Sequence, residues 1–247
     1  MKKSLFVIIT FGIAASIFFL IQMKSNDQVP ISKTKTDHKD YDTKRKPKNK
    51  IGICYSWFGP SDQSMNSLIY NGAILIKTKF QADVVYITPA EQTAKEYEKA
   101  IRHLIEKEQA NLIIAPSFLY RRAIDNIAHQ YPDTQFVVLD VLSKNMENTN
   151  VTSVIFAQHE GSFVVGALAA KMTLTKNIGF IGGADVDVIK AFLEGFREGI
   201  EYVNPNVNLH VEYVSFKPDY SGFASPEKGL KIANSLYQKG IDIIYSV

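Results

Sequence analysis

Short apolar segments alternate with longer amphipathic ones from Ile51 to the last residue of the chain. The apolar segments are rich in valine and isoleucine, and most are continuous runs, which is typical of strands buried on both faces of a parallel sheet. We predict strands at 51–56, 83–88, 111–116, 135–140, 151–156, 177–182, 209–216 and 241–247.

The segments between the strands have helical length and helical spacing. In one of them, Tyr97, Ile101 and Leu104 recur on one face while lysine and glutamate occupy the other. Helices are therefore predicted at 64–80, 91–110, 119–131, 160–173, 186–203 and 225–240. Strands that alternate with helices in this way indicate an α/β fold with right-handed crossovers.

Two units of this pattern begin alike, at KIGICYS and at KNIGFIGG. The likeness predicts two doubly wound parallel-sheet lobes, one at 51–155 and one at 156–247, with the crossover and a hinge near 151–160. In proteins built from two such lobes, a small ligand binds between the lobes, at the carboxyl ends of the strands.

The N-terminus carries an apolar run, Leu5 to Ile21, that contains no charged residue and follows Lys2 and Lys3. Its length is at the short end of what spans a bilayer. Residues 1–23 are predicted to be a single-pass anchor in the cell membrane with the rest of the chain on the extracytoplasmic face. A cleaved signal with a site near Ala14-Ala15-Ser16 is the alternative.

Residues 24–50 have almost no large apolar side chains and predict a basic, flexible tether. They contain nine lysines and arginines against four aspartates, and this net charge of +5 exceeds the +3 of the whole chain. The folded part is therefore mildly acidic, which argues against a nucleic-acid partner.

Residue types that carry catalysis or bind metals are sparse. Cys54 is the only cysteine and lies in a predicted strand, where it is expected to be a small core residue. The five histidines are scattered, and no G-x-S-x-G, Walker A or H-E-x-x-H motif is present. We predict no catalytic residue, no metal site and no cofactor.

The Gly182-Gly183 pair raises the possibility of a phosphate-binding turn, since it follows an apolar strand and precedes a predicted helix. The G-x-G-x-x-G order is absent, however, and Asp185 and Asp187 stand where a phosphate would be repelled. The pair is therefore predicted to form a strand-to-helix corner that aims Phe192 at a neutral ligand.

A series of motifs resembles the basic membrane protein family of ABC-transporter substrate-binding proteins, which includes purine-nucleoside receptors. In order they are YPD-x-x-F-x-x-x-D, E-G-S-F-x-x-G, K-x-x-G-F-x-G-G and F-x-x-G-F-x-x-G, and the resemblance runs from about Lys50 to Val247. It implies a periplasmic-binding-protein-like fold, a nucleoside-like ligand held between two lobes, an ABC permease as partner and no catalysis.

The resemblance also implies which residues contact the ligand. The family's D-x-S-F-N motif is matched by DQSMN, in which Asn66 would hydrogen-bond the base and Met65 replaces the stacking aromatic. Asp140 would face the cleft, Phe192 would stack from the second lobe, and Trp57 would substitute for the stacking lost at Met65. The candidate ligand-binding residues are Trp57, Asp62, Met65, Asn66, Asp140 and Phe192.

Four of the candidates also have a structural alternative. Asp62 and Asn66 are suited to starting a helix, Trp57 to packing within the fold, and Phe192 to a helix core together with Phe196.

Two departures from the family pattern leave other functions open. The lipobox cysteine is missing, and the predicted second lobe is incomplete, because the family pattern continues beyond Val247. A membrane-anchored regulatory or sensor protein that no longer serves a transporter, and a truncated non-functional product, are the alternatives.

Overall fold

The computed structural model describes residues 7–10, 50–56, 59–61, 65–141 and 149–247. The strands are β1 (Val7–Thr10), β2 (Lys50–Cys54), β3 (Asp83–Ile87), β4 (Leu112–Ala115), β5 (Gln135–Leu139), β6 (Val151–Val154), β7 (Asn177–Ala184), β8 (Asn208–Ser215) and β9 (Ile243–Ser246). The helices are α1 (Met65–Phe80), α2 (Ala94–Glu106), α3 (Arg121–Ile127), α4 (Gln158–Met172), α5 (Asp187–Val203) and α6 (Pro226–Gln238). All eight predicted strands and six predicted helices are present, with ends that differ by a few residues.

The described elements divide into two compact units, each with its own parallel sheet. One unit contains β2–β6, in the order β3-β2-β4-β5-β6, with α1, α2 and α3. The other contains β1 and β7–β9, in the order β1-β9-β7-β8, with α4, α5 and α6. The predicted α/β fold with two parallel sheets is confirmed.

The first sheet is covered by α1 on one face and by α2 and α3 on the other. Ile51, Ile53 and Ala73 belong to the core on the α1 side, and Ile101, Ile113 and Phe136 belong to the core on the other side. Cys54 lies in this second core and is fully buried, as predicted. Burial raises the pKa of its thiol above the usual range.

The end of β7 corrects one prediction. The strand continues through Gly182 and Gly183 to Ala184, so the glycine pair is not the strand-to-helix corner, and α5 begins at Asp187. A Cβ on Gly182 would lie 2.7 Å from the ring of Tyr213, and a Cβ on Gly183 would lie 2.7 Å from the ring of Phe223. The glycines therefore make room for two aromatic rings within the unit.

Helices α4 and α5 cross with their backbones in direct contact. A Cβ added at Gly166 of α4 would lie 2.1 Å from the carbonyl oxygen of Phe196. Additions at Gly195 and Gly199 of α5 would lie 2.1 and 2.0 Å from the carbonyl oxygens of His159 and Phe163. Only glycine permits this approach, because real Cβ atoms do not come so close to backbone.

The predicted membrane anchor falls almost entirely outside the described residues. Of Leu5–Ile21 the structure describes only Val7–Thr10, which pairs in parallel with β9 from Val7 opposite Ile243 to Thr10 opposite Ser246. Sequence patterns did not predict this strand. No helix among the described residues has the length and apolar character that a bilayer crossing requires.

Candidate functional site

Polar side chains form a row at the carboxyl edge of the first sheet. Ile53, Ile114 and Val137 lie side by side in β2, β4 and β5. Three residues further along these strands come Ser56, Ser117 and Asp140, so the three lie at the same edge. Strands are spaced about 4.8 Å apart, which puts the backbones of Ser56 and Asp140 about 10 Å from each other.

Asp140 is the ionisable member of this row. It directly follows β5, where its backbone N–H donates to the carbonyl oxygen of Val154 at 2.9 Å. Its φ of 60° turns the chain out of the strand, a left-handed conformation that aspartate tolerates better than most residues. Its half-buried carboxylate accepts no hydrogen bond from the described residues, and burial raises its pKa to about 6.

A carboxylate in this position is suited to receive a ligand. Partial burial disfavours its charge, so a donor brought by a bound molecule would stabilise the ionised carboxylate. The sequence-based placement of Asp140 at the end of a strand is therefore what the structure shows, and its contact with a ligand stays a prediction.

Asn66 has a different environment. It is the second residue of α1, its side chain is 1% exposed, and its amide is enclosed by the loop that follows β2. The amide nitrogen donates to Ser56 Oγ at 2.6 Å and to the carbonyl oxygen of Gly59 at 2.8 Å, and the amide oxygen accepts from Ser56 N–H at 3.2 Å. These bonds hold the start of α1 against the end of β2.

Of the other three candidates near the start of α1, the structure describes only Met65. Met65 is the first residue of α1 and is partly exposed, beside Asn66. Trp57 and Asp62 lie outside the described residues. The structure therefore brings Met65 and Asn66 together at the carboxyl edge that also carries Asp140.

Phe192 belongs to the second unit and lies on the buried face of α5. Its side chain is 8% exposed, and the same face buries Ile189, Phe196 and Ile200, as the helical spacing predicted. The burial is what a core residue requires, and stacking of Phe192 on a ligand stays a prediction.

The start of α5 carries charge that is already paired. Asp185 precedes the helix and its carboxylate lies 3.0 Å from Lys190 Nζ, while the carboxylate of Asp187 lies 3.4 Å from Lys217 Nζ. The negative side chains also complement the positive end of the helix dipole. A phosphate at this helix start would therefore lie beside two carboxylates, each paired with a lysine.

Ser56 and Ser117 were not predicted as site residues. Ser56 Oγ accepts the bond from Asn66, and Ser117 Oγ accepts from the N–H of Leu119 at the start of a 3₁₀ turn. The available signal was that each serine lies within two residues of the end of an apolar strand. Within the described ranges, no group of three or more His, Cys, Asp or Glu side chains could hold a metal ion.

The sequence matches a family model over residues 59–247. The description of that family is "ABC transporter substrate-binding protein PnrA-like" (Bmp). The chain belongs to this family. The resemblance inferred from the motifs is thereby confirmed, and the family is one of substrate-binding proteins.

Curated relatives support the assignment. The chain is 33% identical over 140 residues to "ABC transporter nucleoside-binding protein BmpA" of Lactococcus lactis subsp. cremoris, which covers 57% of this chain and 38% of the relative. It is 28% identical over 185 residues to "Basic membrane protein A2" of Borrelia garinii subsp. bavariensis, covering 74% of this chain and 52% of the relative. The chain thus spans about a third to a half of the length of the curated relatives that it matches.

A solved structure shows the same fold. The solute-binding protein of an ABC transporter system from Aeropyrum pernix K1 superposes with a TM-score of 0.68 over 81% of this chain and 55% of that one, at 23% sequence identity. At this identity the likeness establishes the periplasmic-binding-protein-like fold.

Proposed function

We propose that this chain is an extracytoplasmic, membrane-anchored solute-binding protein of an ABC transporter, and that its ligand is a nucleoside-like small molecule. The observation that carries the proposal is the family match over residues 59–247. The Lactococcus lactis relative, whose name states nucleoside binding, favours a nucleoside as the ligand.

The carboxyl edge of the first sheet supports the same ligand class. Asp140 is a half-buried carboxylate that accepts no hydrogen bond from the described residues, and purine bases and ribose both offer N–H or O–H donors. Binding of a neutral molecule would give that carboxylate donors without introducing a second charge. The Asn66 network contributes by fixing the loop and helix beside this edge.

Membrane anchoring rests on the sequence. The apolar run Leu5–Ile21 follows Lys2 and Lys3, and positive charge before such a segment favours insertion with its start on the cytoplasmic side. An ABC permease is the partner that the family description implies.

Isothermal calorimetry on the full chain in detergent micelles tests the ligand class. We expect adenosine, guanosine or inosine to give a saturable heat and free ribose to give none. Asp140→Asn removes the acceptor charge and should weaken nucleoside binding by about tenfold or more. Asp133→Asn, which changes an exposed carboxylate at the opposite edge of the sheet, is the matched control.

The result against the proposal is a folded chain that gives no heat with any nucleoside. Equal affinities for Asp140→Asn and the unaltered chain would keep nucleoside binding but remove Asp140 from the site.

A further inference from the structure

The outward face of α1 is unusually apolar for a helix on the surface of a globular domain. Its exposed apolar side chains are Leu68, Tyr70, Ile74 and Leu75, which are 37 to 51% exposed. At 3.6 residues per turn these four fall within an arc of about 160°. The polar side chains inside that arc are Ser67, Asn71 and Thr78, and none of them is charged, whereas a surface helix normally turns a charged face to water.

The charges on α1 are all positive. Residues 65–80 contain no aspartate or glutamate, and the two basic residues, Lys77 and Lys79, lie in the last turn and are exposed. On the helical wheel one lysine borders each side of the apolar arc. Neither forms an ion pair with another described residue.

The same end of α1 lies where the basic segment joins the sheet. Phe80, the last residue of α1, is 75% exposed and lines a cavity of about 630 Å³ together with Ile51 and Leu112 at the starts of β2 and β4. β2 begins at Lys50, the last residue of the basic segment 24–50. Lys50 itself pairs with Glu108 at 3.1 Å. The exposed phenylalanine, the two lysines and the attachment point of the basic segment therefore share one edge of the unit.

We infer that the outward face of α1 docks on the surface of a bilayer containing anionic lipids. Such helices place apolar side chains at the boundary of headgroups and acyl chains, and their lysines extend to the lipid phosphates. Lysines on both margins of an apolar face have this geometry. In a two-fold pair of α1 faces, by contrast, like charges would be brought together, which disfavours a second copy as the occupant.

The single, buried cysteine makes a local test possible. Cys54 is fully buried and its thiol pKa is raised, so it is unreactive toward a labelling reagent. Leu75→Cys in the full chain can be labelled with the environment-sensitive fluorophore NBD. The matched control is Leu230→Cys, an apolar position on α6 that is 63% exposed and belongs to the other unit.

Each labelled protein is mixed with vesicles of phosphatidylcholine alone and of phosphatidylcholine and phosphatidylglycerol in equal parts. The N-terminal apolar segment is expected to attach the chain to both, so the readout is the environment at the label. On anionic vesicles we expect a blue shift and a rise of about twofold or more in emission at position 75, with no change at position 230. Adding Lys77→Gln and Lys79→Gln to Leu75→Cys should reduce the rise by at least half.

Four outcomes would overturn the inference. They are no response at position 75, equal responses at positions 75 and 230, the same response at position 75 on neutral and anionic vesicles, and a response without vesicles that grows with protein concentration. The last would indicate a second copy as the occupant. Circular dichroism of each labelled variant checks that the fold is unchanged.

Discussion

Asn66 and Asp140 lie at the same edge of one sheet, but the structure gives them opposite surroundings. Asn66 is fully buried and its amide bonds to Ser56 and Gly59, whereas Asp140 is half-buried and its carboxylate accepts no bond from a described residue. A hydrogen-bonded buried amide stabilises the fold, while the charge of a half-buried carboxylate without a protein donor reduces its stability. Of the two, Asp140 is the one whose properties call for a ligand.

Replacement of Asp140 should make the free chain more stable at alkaline pH. Its pKa rises from 3.8 in the unfolded chain to about 6 in the fold, so the folded state binds the proton more tightly. The ionised side chain therefore reduces stability fully above pH 6, and this penalty disappears as the pH falls below 4. We expect Asp140→Asn to raise the free energy of unfolding by on the order of 1 kcal/mol at pH 8 and to leave it unchanged at pH 4.

Urea unfolding at the two pH values, without ligand, measures this difference. The exposed Asp133→Asn serves as the control and should change neither value. A loss of stability in Asp140→Asn at pH 8 would show that the carboxylate has a donor in the fold and would contradict destabilisation by its half-buried charge.

Residue-level prediction from sequence succeeded where the relevant signal is local. The position of Asp140 at the end of a strand was predicted from the apolar residues just before it, a pattern visible in six adjacent residues, whereas its candidacy as a site residue came from the family resemblance. The bonds of Asn66 to Ser56 and Gly59 span ten and seven residues and depend on how the loop folds back on α1. No spacing rule reports such contacts, so its structural role could not be separated from a ligand role.

At the scale of elements, the crossing of α4 and α5 depends on three glycines. Alanine at Gly199 would place its Cβ 2.0 Å from the carbonyl oxygen of Phe163, so the helices would have to separate. We expect Gly199→Ala to lower the free energy of unfolding by about 2 to 4 kcal/mol, since overpacking combines with lost burial between the helices.

A second glycine-to-alanine substitution provides the control. Gly229 lies in α6, where an added Cβ would have no atom within 4 Å, so Gly229→Ala adds only helix propensity. It should raise stability by about 0.5 to 1 kcal/mol. Chemical denaturation of both variants gives the comparison, and equal effects of the two substitutions would refute close helix contact as the cause.

The two ends of β7 show which features of a strand can be predicted from sequence and which cannot. The strand was predicted from its isoleucines and phenylalanine, and its start at Asn177 is correct. Its end was placed too early, because glycine pairs usually mark turns. Here the glycines remain in the strand, since Tyr213 of β8 and Phe223 lie against them, and these neighbours come from segments 30 or more residues away.

At the scale of the whole molecule, the alternation of strands and helices was sufficient to predict the fold class. Each buried strand and amphipathic helix has a local pattern, and a parallel α/β arrangement is the usual way to bury both. The pairing of β1 with β9 was not predictable, because an apolar N-terminal run is equally compatible with a membrane segment.

The division into two units predicts where the effect of a core substitution is confined. Each unit has its own sheet and its own buried core. Gly199→Ala should therefore accelerate amide hydrogen exchange in α4, α5 and β7, and leave exchange in β2, β4 and β5 unchanged. Mass spectrometry of peptides from both units measures this. Equal acceleration in both would mean that the chain unfolds as one cooperative body.

The close contact of α4 with α5 also explains why two of the sequence motifs contain glycine. Gly166 ends E-G-S-F-x-x-G, and Gly195 and Gly199 are the glycines of F-x-x-G-F-x-x-G. Ser162 in the first motif is buried and shares a 3.1 Å hydrogen bond with the Tyr245 hydroxyl. These motif residues therefore form the contacts between α4 and α5 and between α4 and β9. A distant homologue could therefore keep the glycines and the serine of these motifs whatever small molecule it binds, because those positions are set by the packing of the two helices.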